Sequence, residues 1–554
     1  MSTLADVVLR LGLGVTRCWS WRAFERKTRN PAGVQQEVLA GILRRNQHTR
    51  FGQEHDFASI RSPEDYAARV PIRDYEGLRP YIERQQGGAP RQLTSEDPVR
   101  FSQTSGTTGL PKYIPILQST LAQARSDQRL FACCQYAAVP ALFRGKTLAF
   151  VAPAVEGHLP SGMPYGSMSG LLYDSAPGLL RRKYVVPSAV FACPDYELKY
   201  LLIAAFAVAE RSVSHLAAAN PSTFLRLAEV IRTQADLLVH AVESGKLPGL
   251  ETLAPAAGAI ARRFPAKPRR AAELRRLFRA GVEPLFTALW PDLAGVSCWR
   301  EGSCRALLPA LQRLLHERIP LLELGYLASE ARGSLPVDPL RHREVPSFHA
   351  NYFEFIEPAD WEAGRRHVRL LSELDSGRAY YVILTTPAGL YRYFINDLVT
   401  VDGWHQRTPT IKFLEKGSGV TSLTGEKLHE NQVTAAVEAA LNQSGATARF
   451  FLLVADEEQQ GYDLYVEAAG LLSASFLDDV ERELSARNVE YQAKRASGRL
   501  RPIRLKRLRP GASEAHKAHL LAQGQREAQF KAVRLQTRAR VTFDFDRHLE
   551  WVSP

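Results

Sequence analysis

The sequence predicts an α/β fold, with a large N-terminal α/β domain and a smaller α+β domain after it. Three observations predict it. Short apolar runs at 320–324 (PLLEL) and 379–385 (AYYVILT) have the length of buried strands and alternate with helical-period segments, the pattern of an α/β core. A glycine-rich break at 416–419 (KGSG) separates that region from a stretch of different character. The composition, 45% hydrophobic and 23% charged over 554 residues, is globular and excludes a disordered, collagen-like or disulfide-framework chain.

The elements follow in order. Residues 31–45 place Val34, Val38, Leu39, Ile42 and Leu43 on one face, which predicts an amphipathic helix. Ser62-Pro63-Glu64-Asp65 is a helix start, with a capping serine, proline at the first position and acids in the first turn. Residues 147–152 (TLAFVA) read as a short strand. The segment 157–170 (GHLPSGMPYGSMSG) holds four glycines and two prolines and reads as loop. Residues 195–279 read as mostly helical, with Asn220-Pro221-Ser222 capping a helix from Thr223. The run 351–356 alternates and fits a strand beside 379–385. Beyond the glycine-rich break come a helix at 430–442, strands at 449–454 and 462–468, and a helix at 473–487. The expected domains are 1–415 and 416–554.

The net charge is +13, and residues 490–540 carry 14 Lys/Arg against 3 Asp/Glu. No aromatic ladder accompanies these cations, so a surface for an anionic small molecule is expected and a nucleic-acid partner is not. The six cysteines (Cys18, Cys133, Cys134, Cys193, Cys298, Cys304) form no CxxC pair and read as buried free thiols in a reducing compartment. The stretch 4–15 is short and broken by Arg10, unlike a signal peptide, and the most apolar run, 200–209, is half a bilayer long. A soluble, cytoplasmic chain is expected, with no stable membrane association and a monomer favoured.

The chemistry concentrates at 104–112, TSGTTGLPK. Glycines let the backbone approach an anion, amides and hydroxyls can wrap phosphate oxygens, and the lysine supplies charge. The GxxxxGK[ST] order of a Walker loop is absent. The string resembles the phosphate loop of the acyl-adenylate-forming superfamily. Three further segments resemble that superfamily in the expected order: GYLASE at 325–330, GLYRYFIND at 389–397, and FLEKGSGVTSLTGEKLHENQV at 413–433. The tail GQREAQFKAVR at 524–534 is similar to the superfamily's C-terminal lysine segment. The region 22–84, the pair Trp290-Pro291 with Trp299 and Gly302, and the QFK tail resemble the Gretchen Hagen three family of acyl-acid amido synthetases.

That resemblance implies a large N-terminal adenylate-forming domain and a smaller mobile C-terminal lid. ATP and Mg²⁺ are the implied cofactors, and a small carboxylic acid and an amino acid the implied substrates. Thr104, Ser105, Gly106, Thr107, Thr108 and Lys112 would cradle phosphates. Tyr326 would stack on adenine beside Ala328 and Ser329, and Glu330 would bind the metal. Asp397 would hold the ribose hydroxyls, with Asn396 standing where glycine is usual. Lys416 stands where an arginine usually meets the ribose, and Ser418 where an aspartate usually serves as hinge. Gly425 matches an expected glycine. Lys531 is the implied C-terminal catalytic lysine, together with Lys112, and Lys517 is the alternative to Lys531. The reaction implied is formation of acyl-AMP with release of pyrophosphate, then transfer to the amine. An acyl-CoA synthetase and a catalytically degenerate nucleotide-binding protein are the alternatives. The acid, the amine and the acyl-pocket residues are not named by the sequence.

Overall fold

The computed structural model describes residues 12–14, 17–104, 112–253, 256–417, 419–421, 423, 426, 428–456, 459–470, 472–496, 500–523 and 533–553. The chain forms two compact units. The first comprises Met1–Arg300, Leu307–Ile395 and Val399–Lys412; the second comprises Glu301–Ala306, Asn396–Leu398 and Phe413–Pro554.

The core of the first unit is a parallel sheet in the order Lys146–Ala149, Val213–Ala217, Gly295–Cys298, Leu321–Glu323. Helices Tyr196–Ala209, Ser222–Thr233 and Ala235–Ser244 contribute Ile203, Phe206, Leu227 and Val239 to the apolar cluster that includes Leu148, Leu216 and Val296. Trp290 is fully buried there, its indole N–H donating to the Ala207 carbonyl at 3.0 Å. This is the α/β core the alternation predicts. The helix Pro31–Asn46 and the capping box that opens Pro63–Arg69 at Ser62 also form as expected.

Two expectations are corrected. The stretch 157–170 is not loop throughout: it forms strands Gly157–His158 and Pro164–Gly166, and the helix Met168–Asp174 starts within it. Two of its glycines serve close packing against backbone. A Cβ on Gly166 would lie 2.1 Å from the Ala154 carbonyl oxygen, and one on Gly170 2.2 Å from that of Ala152. The mostly helical reading of 195–279 missed Val213–Ala217, a central strand. A five-residue buried run has no periodicity that separates strand from helix.

A five-stranded sheet follows, in the order Val368–Leu370, Tyr352–Ile356, Ala379–Thr385, Tyr393–His405, Thr408–Lys416. Tyr352–Ile356 runs antiparallel to Ala379–Thr385, beside it as expected. Behind these strands lies a buried ion pair. Arg392, at φ 44°, directs Nε to Glu354 Oε2 at 2.9 Å and Nη2 to Oε1 at 2.9 Å. Its Nη1 donates to the carbonyls of Ala67 (3.0 Å) and Val70 (2.9 Å), which fastens the N-terminal helices to this sheet.

The second unit is built on a mixed sheet in the order Leu535–Thr537, Thr447–Asp456, Gly461–Ala469, Arg504–Leu508, Leu549–Val552. Helices Glu430–Gln443 and Phe476–Arg487 cover one face with Val433, Val437, Val480 and Leu484. A smaller cluster with Phe450, Leu452, Ala512 and Phe545 fills the other.

Candidate active site

The phosphate-loop string begins and ends on paired strands. Thr104 closes the strand Arg100–Thr104, Lys112 opens Lys112–Ile116, and the two are cross-strand partners. The antiparallel pairing therefore brings both ends of the string together. Ser105, Gly106, Thr107 and Thr108 lie outside the described residues, as does the Thr104 side chain. Lys112 is half-buried, with its Nζ 5.7 Å from the Tyr75 ring centroid. The Tyr75 hydroxyl accepts from the Tyr113 N–H at 2.7 Å and lies 3.2 Å from the Tyr113 carbonyl, to which it can donate. Burial pushes this phenol up to about 12, so it stays protonated and holds the strand behind Lys112.

The segment 325–330 leaves the edge strand Leu321–Glu323 of the parallel sheet at its C-terminal end, where α/β folds place ligands. Gly325 has φ 87°, and a Cβ there would meet Pro336 Cδ at 2.9 Å and Ser334 Oγ at 3.0 Å, so the turn needs glycine. The Trp299 indole donates to the Gly325 carbonyl at 3.1 Å. Tyr326 is 3% exposed, and its ring lies across Gly333. Its N–H donates to Ser334 Oγ (2.7 Å) and to Glu344 Oε2 (3.0 Å). Its carbonyl accepts from the N–H groups of Gly333 (2.8 Å) and Ser334 (3.0 Å). Ala328 donates its N–H to the Ala331 carbonyl at 3.0 Å, and Ser329 is half-buried beside it. Glu330 is also half-buried and accepts from the Tyr393 hydroxyl at 3.1 Å.

In the second unit, Asn396 adopts φ 58°, so asparagine takes the left-handed conformation that glycine would otherwise supply. Its carbonyl accepts from the Gly417 N–H at 2.9 Å. Asp397 follows it and is 1% exposed. Lys416 ends the strand Thr408–Lys416, its side chain outside the described set. Ser418, Gly425 and Lys531 lie outside the described residues as well, while Lys517 is half-buried on the helix Ala512–Ala522.

One group beside the site carries no sequence motif. Glu323, His342 and Glu344 are 3%, 7% and 2% exposed and place their ligand-type atoms within 4.8 Å of one another. Glu323 lies 19 and 21 positions from its partners, and no spacing rule joins them: His342 sits at φ 55° in the turn before the strand Arg343–Pro346, which carries Glu344.

Three segments match one family in order: residues 20–321 its N-terminal domain, 345–416 its central domain and 431–540 its C-terminal domain, each described as a GH3 family domain. Indole-3-acetic acid-amido synthetase GH3.8 of Oryza sativa subsp. indica is 26% identical over 549 residues, covering 93% of this chain and 90% of that one. Indole-3-acetic acid-amido synthetase GH3.2 of Arabidopsis thaliana is 26% identical over 441 residues, covering 75% and 79%. Among solved structures, GH3.15 acyl acid amido synthetase superposes with a TM-score of 0.86 at 23% identity over 96% of each chain. A 2-hydroxyisobutyryl-CoA ligase in its postadenylation state superposes at 0.51 with 15% identity, covering 87% and 88%. These last two likenesses concern the fold. Together the fold and the matches define a ligase of the amido-synthetase class. The chain belongs to the GH3 family, as the motif resemblance implies.

Proposed function

We propose that the protein is an ATP-dependent acyl-acid amido synthetase that activates a carboxylic acid as acyl-AMP and then passes the acyl group to an amino acid. The observation that carries this reading is the run of three GH3 segments across 20–540, with amido synthetases as relatives over most of the chain. The first half-reaction forms a bond from the carboxylate oxygen to the α-phosphorus and releases pyrophosphate. The second forms the amide and releases AMP.

Most of the catalytic task is positioning and charge handling. Thr104, Ser105, Gly106, Thr107, Thr108 and Lys112 hold the departing phosphates. Tyr326, Ala328 and Ser329 receive the adenine, Asp397 takes the ribose hydroxyls, and Lys416 assists it. Lys531 meets the charge developing at the α-phosphate. Glu330 fits Mg²⁺: it offers a half-exposed carboxylate to a hard cation that retains water and phosphate oxygens. When bound, that ion neutralises phosphate charge. The portion from 416 onward acts as a lid that turns at 416–419 between the two half-reactions. Five buried free thiols among the described residues suit a reducing, cytoplasmic setting, and a monomer suffices for this chemistry. Among the described residues no helix is long and apolar enough to cross a membrane.

ATP–pyrophosphate exchange against a panel of carboxylic acids, with Mg²⁺ and no acceptor, tests the first half. Acid-dependent exchange is expected. Amino acids and coenzyme A are then supplied to the best acid: an amide product is expected, and a thioester alone would replace this reading with an acyl-CoA synthetase. Failure of the folded chain to bind ATP would overturn both.

A further inference from the structure

The backbone that leads into 325–330 ends on two buried carboxylates. Glu323 Oε1 accepts from the N–H groups of Leu324 and Gly325, each at 3.0 Å, and its Oε2 accepts from the Arg300 N–H at 2.9 Å. Glu344 Oε2 accepts from the Tyr326 N–H at 3.0 Å and from the Ser334 hydroxyl in a short contact. Three consecutive amides, 324 to 326, are thus held by side chains from two different strands. Between the carboxylates sits His342, its Nε2 3.2 Å from Glu323 Oε2 and 3.4 Å from Glu344 Oε1. Two adjacent carboxylates this deeply buried cannot both carry charge without a compensating cation or proton.

We propose that Glu323, His342 and Glu344 form a buried proton-sharing clamp that fixes the 324–326 turn, making them positioning residues for nucleotide binding at Tyr326. The proposal rests on the nucleotide role given above to 325–330. Burial first, and then the charge of Glu344, push the Glu323 carboxyl up to about 7, with His342 and the amides opposing. The other charged groups around the cluster do not share the proton. Arg332 directs Nε to the Ser334 carbonyl and Nη2 to the Leu324 carbonyl, and its charge acts on Glu344. Arg300 directs Nη1 to the Leu340 carbonyl, while Arg341 and Arg343 are exposed, Arg341 lying 3.9 Å from Asp338. Above the titration, ionised Glu323 is a full acceptor for three amides. Below it, the proton occupies one oxygen and the turn loosens.

The test compares ATP affinity of the full chain with that of Glu323→Gln, an uncharged stand-in for the protonated state, at about pH 6 and about pH 8. The ratio of the two dissociation constants cancels the ionisation of ATP itself. The clamp predicts that wild type gains on the variant by about threefold to tenfold between those pH values. ATP binding with a pH-independent ratio would overturn the clamp alone. No ATP binding by wild type would sink the nucleotide reading and the positioning role with it. His342→Gln, which keeps a donor but removes the imidazole that opposes the rise of the Glu323 carboxyl, should move the wild-type step to higher pH; an unmoved step refutes proton sharing. Should both variants misfold, infrared spectra of wild type decide. A protonated carboxyl band, beyond any contributed by the raised carboxyls of Glu354 and Glu438, must fade as pH rises through neutrality, when the ordinary carboxyls are already ionised. Its absence, or a metal ion that co-purifies with wild type, rejects the clamp.

Discussion

Replacing Arg392 with leucine strands Glu354 inside the protein. Glu354 is 1% exposed and Arg392 4%, and beside their two-point contact the guanidinium also donates to the Ala67 and Val70 carbonyls. Removing one partner of a buried pair costs about 3–5 kcal/mol, mostly because the remaining charge is uncompensated. Each abandoned carbonyl adds about 1 kcal/mol or more where water does not reach it. The loss should follow pH in a definite direction. Burial raises the Glu354 carboxyl above its ordinary value, and Arg392 opposes that. With its folded pKa raised, the folded state binds the extra proton. That contribution is full below the unfolded value and is lost as pH rises through the folded one. Arg392→Leu removes the opposing cation and carries the loss to higher pH, so its deficit should be smaller near pH 5, where the carbonyl cost remains, than near pH 8. Urea unfolding of the full chain at both pH values, followed by tryptophan fluorescence, reads this as a shift in midpoint. The double variant Arg392→Leu/Glu354→Leu should recover all but the carbonyl term, because two apolar groups leave no buried charge. A deficit for Arg392→Leu below about 1 kcal/mol, or one that ignores pH, would refute the reasoning.

Lys531→Ala should lower the adenylation rate by about 10²-fold or more, read by pyrophosphate exchange; near-normal exchange in a folded variant would remove Lys531 from the mechanism. Asp397→Ala should raise the KM for ATP, and an unchanged KM with intact folding would end its ribose role. Gly333→Ala would place a Cβ 2.1 Å from Tyr326 Cδ1, so the ring must move. It should cost about 1–3 kcal/mol in stability and weaken ATP binding, and a variant unchanged in both would show that the ring's seat is not needed.

Local chemistry wrote much of this fold into the sequence. The helix Pro63–Arg69 is announced by Ser62, Pro63 and Asp65, because a cap is satisfied within four residues. The strand Ala379–Thr385 is legible because seven apolar and β-prone residues in a row fit a buried strand. Asn396 is legible too, because asparagine tolerates the left-handed conformation it adopts at φ 58°. The GH3 membership was legible too, because its motifs are contiguous strings that keep residue type and order. The strand Val213–Ala217 and the packed glycines of 157–170 were not, since a short buried run and a glycine beside a carbonyl look local only after the chain is folded.

By itself, then, the sequence determined the α/β class, the principal capped and apolar elements, the family and its candidate residues. Tertiary structure alone decided that Glu354 meets Arg392 across 38 positions and that Glu323 meets His342 and Glu344 behind the 324–326 turn. The reason is physical. Caps and periodicity are satisfied by neighbours in the chain, whereas a buried charge is satisfied by whichever strand the fold lays beside it, at any separation.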